Sequence, residues 1–140
     1  MSGDPQPEPP AKRWLHLAQE DLAAARAILG VADVAPRIAC FPSQQAAEKA
    51  LKAGLISADQ QFPKIHGLTR LLALYPDAIR PELNDDDLDL LDPWVIDGRY
   101  AADLPVVGSA EARVIVDLAA RVVDAVGRIV DATPPFQGHA

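Results

Sequence analysis

The sequence has few of the residues that build several common kinds of site. Cys40 is the only cysteine among 140 residues, which excludes an intrachain disulfide and a zinc site made of cysteines. Aromatic residues are 5% of the chain although hydrophobic residues are 49%, so the core must consist mainly of Ala, Leu, Val and Ile. Basic residues number 13 against 20 acidic ones, and the formal charge is −7. Proteins that bind nucleic acid non-specifically through its phosphates usually show the opposite balance.

Long hydrophobic runs are also missing. No apolar run reaches the ~18 residues of a membrane-spanning helix. The start Met-Ser-Gly-Asp-Pro has neither the basic nor the apolar region of a signal peptide. We therefore expect a soluble cytoplasmic protein with no membrane partner. The length suits one domain with a single core.

Apolar residues recur at three- and four-residue steps along most of the chain, and no strand-like alternation or internal repeat is present. We predict an all-α fold, an antiparallel up-and-down bundle of four to five helices over residues 12–132. A proline-rich tail (1–11) and a flexible tail (133–140) flank it. Predicted helices begin near Lys12, Pro36, Ile65, Asn84 and Ser109, and Pro42 should start or kink the second one.

The last predicted helix carries a wide apolar stripe that includes Ile115, Val122 and Val126. The stripe is wider than one small bundle needs. This width predicts that part of it forms a homodimer surface.

The segment Phe41-Pro-Ser-Gln-Gln-Ala-Ala-Glu-Lys-Ala-Leu-Lys-Ala53 is the most distinctive part of the chain. Its alanines predict a helix with little bulk on one side, so that a neighbouring helix can approach closely. Gln45 and Lys49 are four residues apart, as are Glu48 and Lys52, and both pairs are expected to interact along an exposed edge.

This segment resembles, nearly residue for residue, the second helix of the HEPN family of small helical proteins. The helix from Trp14 to Leu29 resembles the family's opening helix, and His66-Gly-Leu-Thr-Arg-Leu-Leu72 resembles its His-x-Leu segment. Asp97-Gly-Arg-Tyr100 resembles its Arg-Tyr element. The resemblance covers most of the chain. It implies a HEPN-like bundle that homodimerises and is often the partner of a minimal nucleotidyltransferase, sometimes as a toxin–antitoxin couple.

By the same resemblance, catalytically active members are metal-independent ribonucleases with an Arg, then four to six residues, then a His. The Arg stabilises charge on the phosphorane and the His moves a proton. Arg99 matches the Arg, but Leu104, Pro105 and Val106 occupy the positions where the His would fall. The chain is therefore predicted to be a binding or interaction module rather than an enzyme. We predict that nucleotide or RNA phosphate binds near Arg99, with Tyr100 and Lys49 as further contacts.

Three alternatives remain open from the sequence. In one, the chain is an endoribonuclease toxin that uses Arg99 with a relocated His66. In another, it is a bundle that only scaffolds. In the third, Arg99 closes the bundle by bonding helix-end carbonyls while the Tyr100 ring packs on the core.

No metal or other cofactor is expected. His16 and Glu20 share one helix face without a third ligand at helical spacing. Asp85, Asp86 and Asp87 follow Asn84 as acids of a helix first turn, where the helix dipole favours them.

Overall fold

The described part of the chain folds into five α-helices. The computed structural model describes residues 8–65, 67–95 and 106–133. The helices are α1 (Pro10–Leu29), α2 (Cys40–Ser57), α3 (Leu68–Ala73), α4 (Asp85–Leu91) and α5 (Ser109–Ala132). Short 3₁₀ turns cover Pro36–Ala39, Asp77–Ile79 and Asp92–Trp94, and the described ranges contain no strand. The predicted all-α bundle is confirmed. None of the helices in these ranges is long and apolar enough to cross a bilayer.

Helix α2 lies at the centre of the bundle. It packs against both α1 and α5, which also contact each other, while α3 and α4 contact each other and α2. Its alanines are completely buried; they are Ala46, Ala47, Ala50 and Ala53. Because these side chains are small, two long helices approach α2 at once, and Leu51 and Leu55 fill the spaces between them. The predicted close approach to the alanine face is confirmed.

The residues at the N-termini of α1, α2 and α4 explain where these helices begin. Pro10 is the first residue of α1, two positions before the predicted start, because proline fits a position whose N–H has no partner within the helix. Pro42 lies in the first turn of α2, so it costs no helical hydrogen bond and no kink is needed. The Asn84 Oδ1 atom accepts a hydrogen bond from the Asp86 N–H at 2.7 Å. The predicted cap of α4 is confirmed.

The predicted start of α3 was wrong. This helix begins at Leu68 rather than Ile65, because Gly67 is extended, with a ψ of 123°, and is the N-cap residue. Helix α2 begins at Cys40, after the 3₁₀ turn over Pro36–Ala39, rather than near Pro36. Helix α5 begins at Ser109 as predicted; its N-cap residue is Gly108, whose N–H donates to the Glu111 carboxylate at 2.9 Å.

The apolar stripe of α5 is covered by this chain's own helices. Exposure is 6% for Ile115, 2% for Val122 and 0% for Val126. Helix α5 packs against α1, α2 and α4, and three neighbours use the full width of the stripe. The prediction that these residues form a dimer surface was therefore wrong.

Tyr75 locks the segment after α3 onto α2. Its hydroxyl donates to the Leu51 carbonyl oxygen at 2.5 Å, and burial raises the pKa of this phenol. The ring crosses α2 directly above Gly54, where an added Cβ would lie 2.8 Å from the Tyr75 Cζ atom. Gly54 is thus required for close approach rather than for its backbone freedom.

We expect Gly54→Ala to destabilise the protein by about 1–3 kcal/mol, because overpacking outweighs the better helix propensity of alanine. Gly127→Ala is the matched control. Its added Cβ would meet only the Leu15 Cδ2 atom at 4.0 Å, so we expect a gain of about 0.5–1 kcal/mol. Urea unfolding followed by circular dichroism measures both changes. An equal gain in the two variants would contradict this packing.

Candidate functional site

A polar cluster lies on the buried surface of α2. Gln44 is completely buried and Glu48 is 6% exposed, in a helix whose other buried residues are mainly alanine and leucine. The Gln44 Nε2 atom donates to Glu48 Oε1 at 3.3 Å. Together with Lys52 and Asp92, these residues are called the α2 polar cluster below. Within the described residues, no buried side-chain nitrogen or oxygen lacks a partner.

Lys52 is the positive charge of this cluster. Its Nζ atom lies 3.2 Å from Glu48 Oε2, and the Lys52 side chain is only 13% exposed. The ammonium is 5.7 Å from the ring centroid of Trp14 and 5.8 Å from that of Phe62. Two aromatic faces and one carboxylate therefore surround this charge, which compensates for the water it loses.

Asp92 connects the cluster to α3. The Leu68 N–H donates to the Asp92 Oδ1 atom at 3.1 Å, so a residue distant in sequence acts as the cap of α3. Burial raises the pKa of Asp92, the hydrogen bond from Leu68 lowers it, and the nearby charges of Asp89 and Glu48 raise it further. The ionised form of this carboxylate is thus disfavoured by the fold.

Lys49, one of the predicted phosphate contacts, is engaged by α1. Its Nζ atom lies 2.7 Å from Asp21 Oδ2, with side-chain exposures of 26% and 27%. The predicted pairing of Gln45 with Lys49 was wrong, since the Gln45 amide donates to Gln44 at 2.7 Å. The predicted Glu48–Lys52 pair is confirmed, but it is buried rather than at an exposed edge.

Three predicted site residues, Arg99, Tyr100 and His66, lie outside the described residues. The chain reaches the 96–105 segment directly after Trp94, whose ring meets Phe41 edge-on with centroids 5.6 Å apart. Position 95 is therefore close to the first turn of α2. His66 directly precedes Gly67 and the Leu68 amide that Asp92 holds.

Among the described residues, no hydrogen bond or ion pair joins His16 and Glu20, the pair considered for a metal. The His16 Nδ1 atom lies 2.5 Å from a Glu8 carboxylate oxygen instead. The part of the chain that the structure describes has no group of three or more His, Cys, Asp or Glu side chains placed to hold a metal ion.

Of the α2 polar cluster, only the Glu48–Lys52 pair was predicted from the sequence, and its burial was not. A second sequence signal is the spacing of Gln44 and Glu48, four residues apart among alanines. Asp92 has no such signal, because its partner Leu68 is 24 residues away. In this cluster the Lys52 ammonium pairs with the Glu48 carboxylate, and the Asp92 carboxylate accepts a hydrogen bond from the Leu68 N–H. The Asp92 hydrogen bond holds the start of α3 against the turn after α4. The Glu48–Lys52 pair leaves little free positive charge on α2.

The fold and this cluster place the protein in the class of small α-helical bundles that have a central alanine-rich helix. A family model described as the HEPN domain matches residues 11–129. The chain therefore belongs to the HEPN family, as its sequence motifs suggested.

Two solved structures are similar to this chain. One is TT1696 from Thermus thermophilus, with 30% identity and a TM-score of 0.70, over 87% of this chain and 99% of that one. The other is ST0689, an archaeal HEPN homologue, with 27% identity and a TM-score of 0.66, over 85% of this chain and 97% of that one. A search of curated proteins found no match.

Asp92→Asn tests the cluster through its pH dependence. The amide keeps an acceptor for the Leu68 N–H but removes the charge that Asp89 and Glu48 repel. Since the pKa of Asp92 is raised in the folded state, its ionisation costs stability at neutral pH. That cost disappears as the pH falls below the unfolded-state pKa of about 3.9. We expect Asp92→Asn to be more stable than the unmodified chain at neutral pH, with the difference shrinking on acidification.

The control for this experiment is Asp92→Ala, which removes the acceptor as well. It should lose about 1 kcal/mol relative to Asp92→Asn at neutral pH, as for other helix caps. Urea unfolding at a series of pH values measures both variants. A gain for Asp92→Asn that grows as the pH is lowered would contradict the assignment.

Proposed function

We propose that this HEPN-family chain is a binding and interaction module rather than a ribonuclease. The observation that carries the proposal is the absence of a proton carrier after Arg99. Leu104, Pro105 and Val106 stand where the family's ribonucleases have histidine, and none of these side chains can donate or accept a proton. An arginine without that partner can still bind a phosphate, since binding needs charge and hydrogen-bond donors only.

Nucleotide or RNA phosphate is proposed to bind at Arg99, with Tyr100 stacking on a base. The guanidinium fork matches two phosphate oxygens, and a phenol ring offers a stacking face. On α2, the described residues support this choice because both lysines already have partners. Lys49 and Lys52 are bound by Asp21 and Glu48, so a phosphate would have to break these pairs to use them. Lys49, about one quarter exposed, contributes to the proposal as a secondary contact only.

The proposed protein partners are a second copy of the chain and a minimal nucleotidyltransferase, in a toxin–antitoxin-like couple. Both follow from membership of the family. A short neighbouring reading frame that encodes a nucleotidyltransferase would supply the candidate. Its co-expression with this chain should then give a complex that remains intact through size-exclusion chromatography.

Arg99→Lys is the main test of the binding proposal. Lysine keeps the charge but loses the planar fork, so affinity for ATP or a short RNA should fall about tenfold, the effect of losing one charge-assisted hydrogen bond. The melting temperature should stay unchanged. Calorimetric titration measures the affinity, and Arg13→Lys on the exposed part of α1 is the control that should bind like the unmodified chain.

Two results would contradict the proposal. If the unmodified chain binds no nucleotide and no short RNA, Arg99 has a structural role and the binding assignment fails. If RNA is cleaved in EDTA, and cleavage is lost in both Arg99→Ala and His66→Ala, the chain is a ribonuclease with a relocated histidine.

A further inference from the structure

Six charged residues form one stripe along the exposed face of α5. With 3.6 residues per turn, they fall within a sector of about 80° and extend over about 27 Å. All six are exposed, and their signs alternate without exception; in order they are Arg113, Asp117, Arg121, Asp124, Arg128 and Asp131. We call this set the α5 charge stripe.

The contacts within this chain leave most of the α5 charge stripe available. The one ion pair that involves it among the described residues joins Arg121 to Asp87 of α4 at 3.7 Å, with side chains 66% and 41% exposed. Neighbours in the stripe are three or four residues apart, a spacing that permits pairing along a helix. Among the residues that the structure describes, however, no ion pair joins two members of the stripe.

Because the signs alternate, the stripe is complementary in charge to the same stripe of a second copy that runs in the opposite direction. If a second α5 lies antiparallel to the first, with a twofold axis near residue 122, every arginine meets an aspartate. The opposed residues are Arg113 with Asp131, Asp117 with Arg128, and Arg121 with Asp124, and the symmetry repeats each pair. A parallel, in-register partner would instead place like charges together. The pattern therefore specifies both the partner and its direction.

The charge distribution of the whole chain favours the same face. The chain carries a formal charge of −7, so two copies repel one another over most of their surfaces. The α5 charge stripe has three positive and three negative residues and is neutral. Small residues flank it, with Ala120 and Gly127 on one side and Ala125 and Ala132 on the other, so two helix backbones can come close.

We propose that a second copy of this chain docks antiparallel along the α5 charge stripe. This inference rests on the homodimer part of the proposed function and identifies the surface. Exposed ion pairs are individually weak, so the assembly depends on six of them acting together. It is therefore reversible and sensitive to salt.

The test is a charge swap at Asp117 and Arg128, which face each other across the proposed axis and have no ion-pair partner within the described chain. Asp117→Arg and Arg128→Asp each turn two attractive contacts into two repulsive ones. We expect each variant to weaken dimerisation about tenfold or more. The double variant restores opposite charges and should return to within about threefold of the unmodified chain.

Sedimentation velocity over a range of protein concentrations measures the dimerisation constant. The unmodified dimer should weaken between about 0.1 M and about 1 M salt, where the Debye length falls from about 10 Å to about 3 Å. Arg13→Asp, an exposed reversal on α1, is the matched control and should leave dimerisation unchanged. All these positions are exposed, so melting temperatures should be preserved. Asp124→Arg is a second single variant, which leaves the Arg121–Asp87 pair intact.

A monomeric unmodified chain at high micromolar concentration would overturn the inference, and so would a double variant no better than the single ones. Single variants that dimerise normally would also overturn it. If the single variants dimerise normally, the proposed homodimer would have to form through another face. Nucleotide titration of the same samples distinguishes a failure of the docking inference from a failure of the proposed binding function, because binding at Arg99 does not require the α5 charge stripe.

Discussion

The close packing of α1 and α5 on α2 is the constraint on which the rest of the molecule depends. Eleven of the 18 residues of α2 are buried, which is possible only because alanine and glycine occupy the contact faces. The same constraint explains why Gly54 lies beneath the Tyr75 ring and why that phenol bonds the Leu51 carbonyl. A helix surrounded in this way cannot leave a polar group without a partner, since each unpaired buried group costs about 1–3 kcal/mol.

The proposed function depends on how α2 satisfies its polar residues. Glu48 accepts hydrogen bonds from both Gln44 and Lys52, and Asp92 nearby accepts one from the Leu68 N–H. The Lys49 ammonium forms an ion pair with the Asp21 carboxylate. With both lysines engaged, a phosphate bound as we propose would need positive charge from outside α2. Arg99 is the residue that the family motif offers, and it follows Trp94, which is anchored on Phe41.

Local patterns predicted much of this fold, because helices and their caps depend on residues within one or two turns. The alanine face of α2 and the Asn84 cap were predicted from neighbouring residues alone. The errors concern long-range partners. The width of the apolar stripe on α5 shows how many apolar neighbours it needs, but not whether they belong to the same chain. Lys49 was assigned a partner on its own helix, whereas Asp21 lies 28 residues away. The Asp92–Leu68 hydrogen bond also joins residues far apart in the chain, so short-range sequence patterns do not reveal it.

The charged side chains of α2 all form ion pairs: Lys49 with Asp21, and Lys52 with Glu48. In the proposed function, the ligand binds beside the segment that follows Trp94. The most direct measurement is a two-dimensional amide and indole NMR titration of the unmodified chain with ATP and with a short RNA. We predict saturable shifts at the Trp94 indole and at Val95 and Val106, while the signals of Lys49 and Lys52 move little. Shifts concentrated at Lys49 and Lys52, or no saturable shift at any residue, would contradict this assignment.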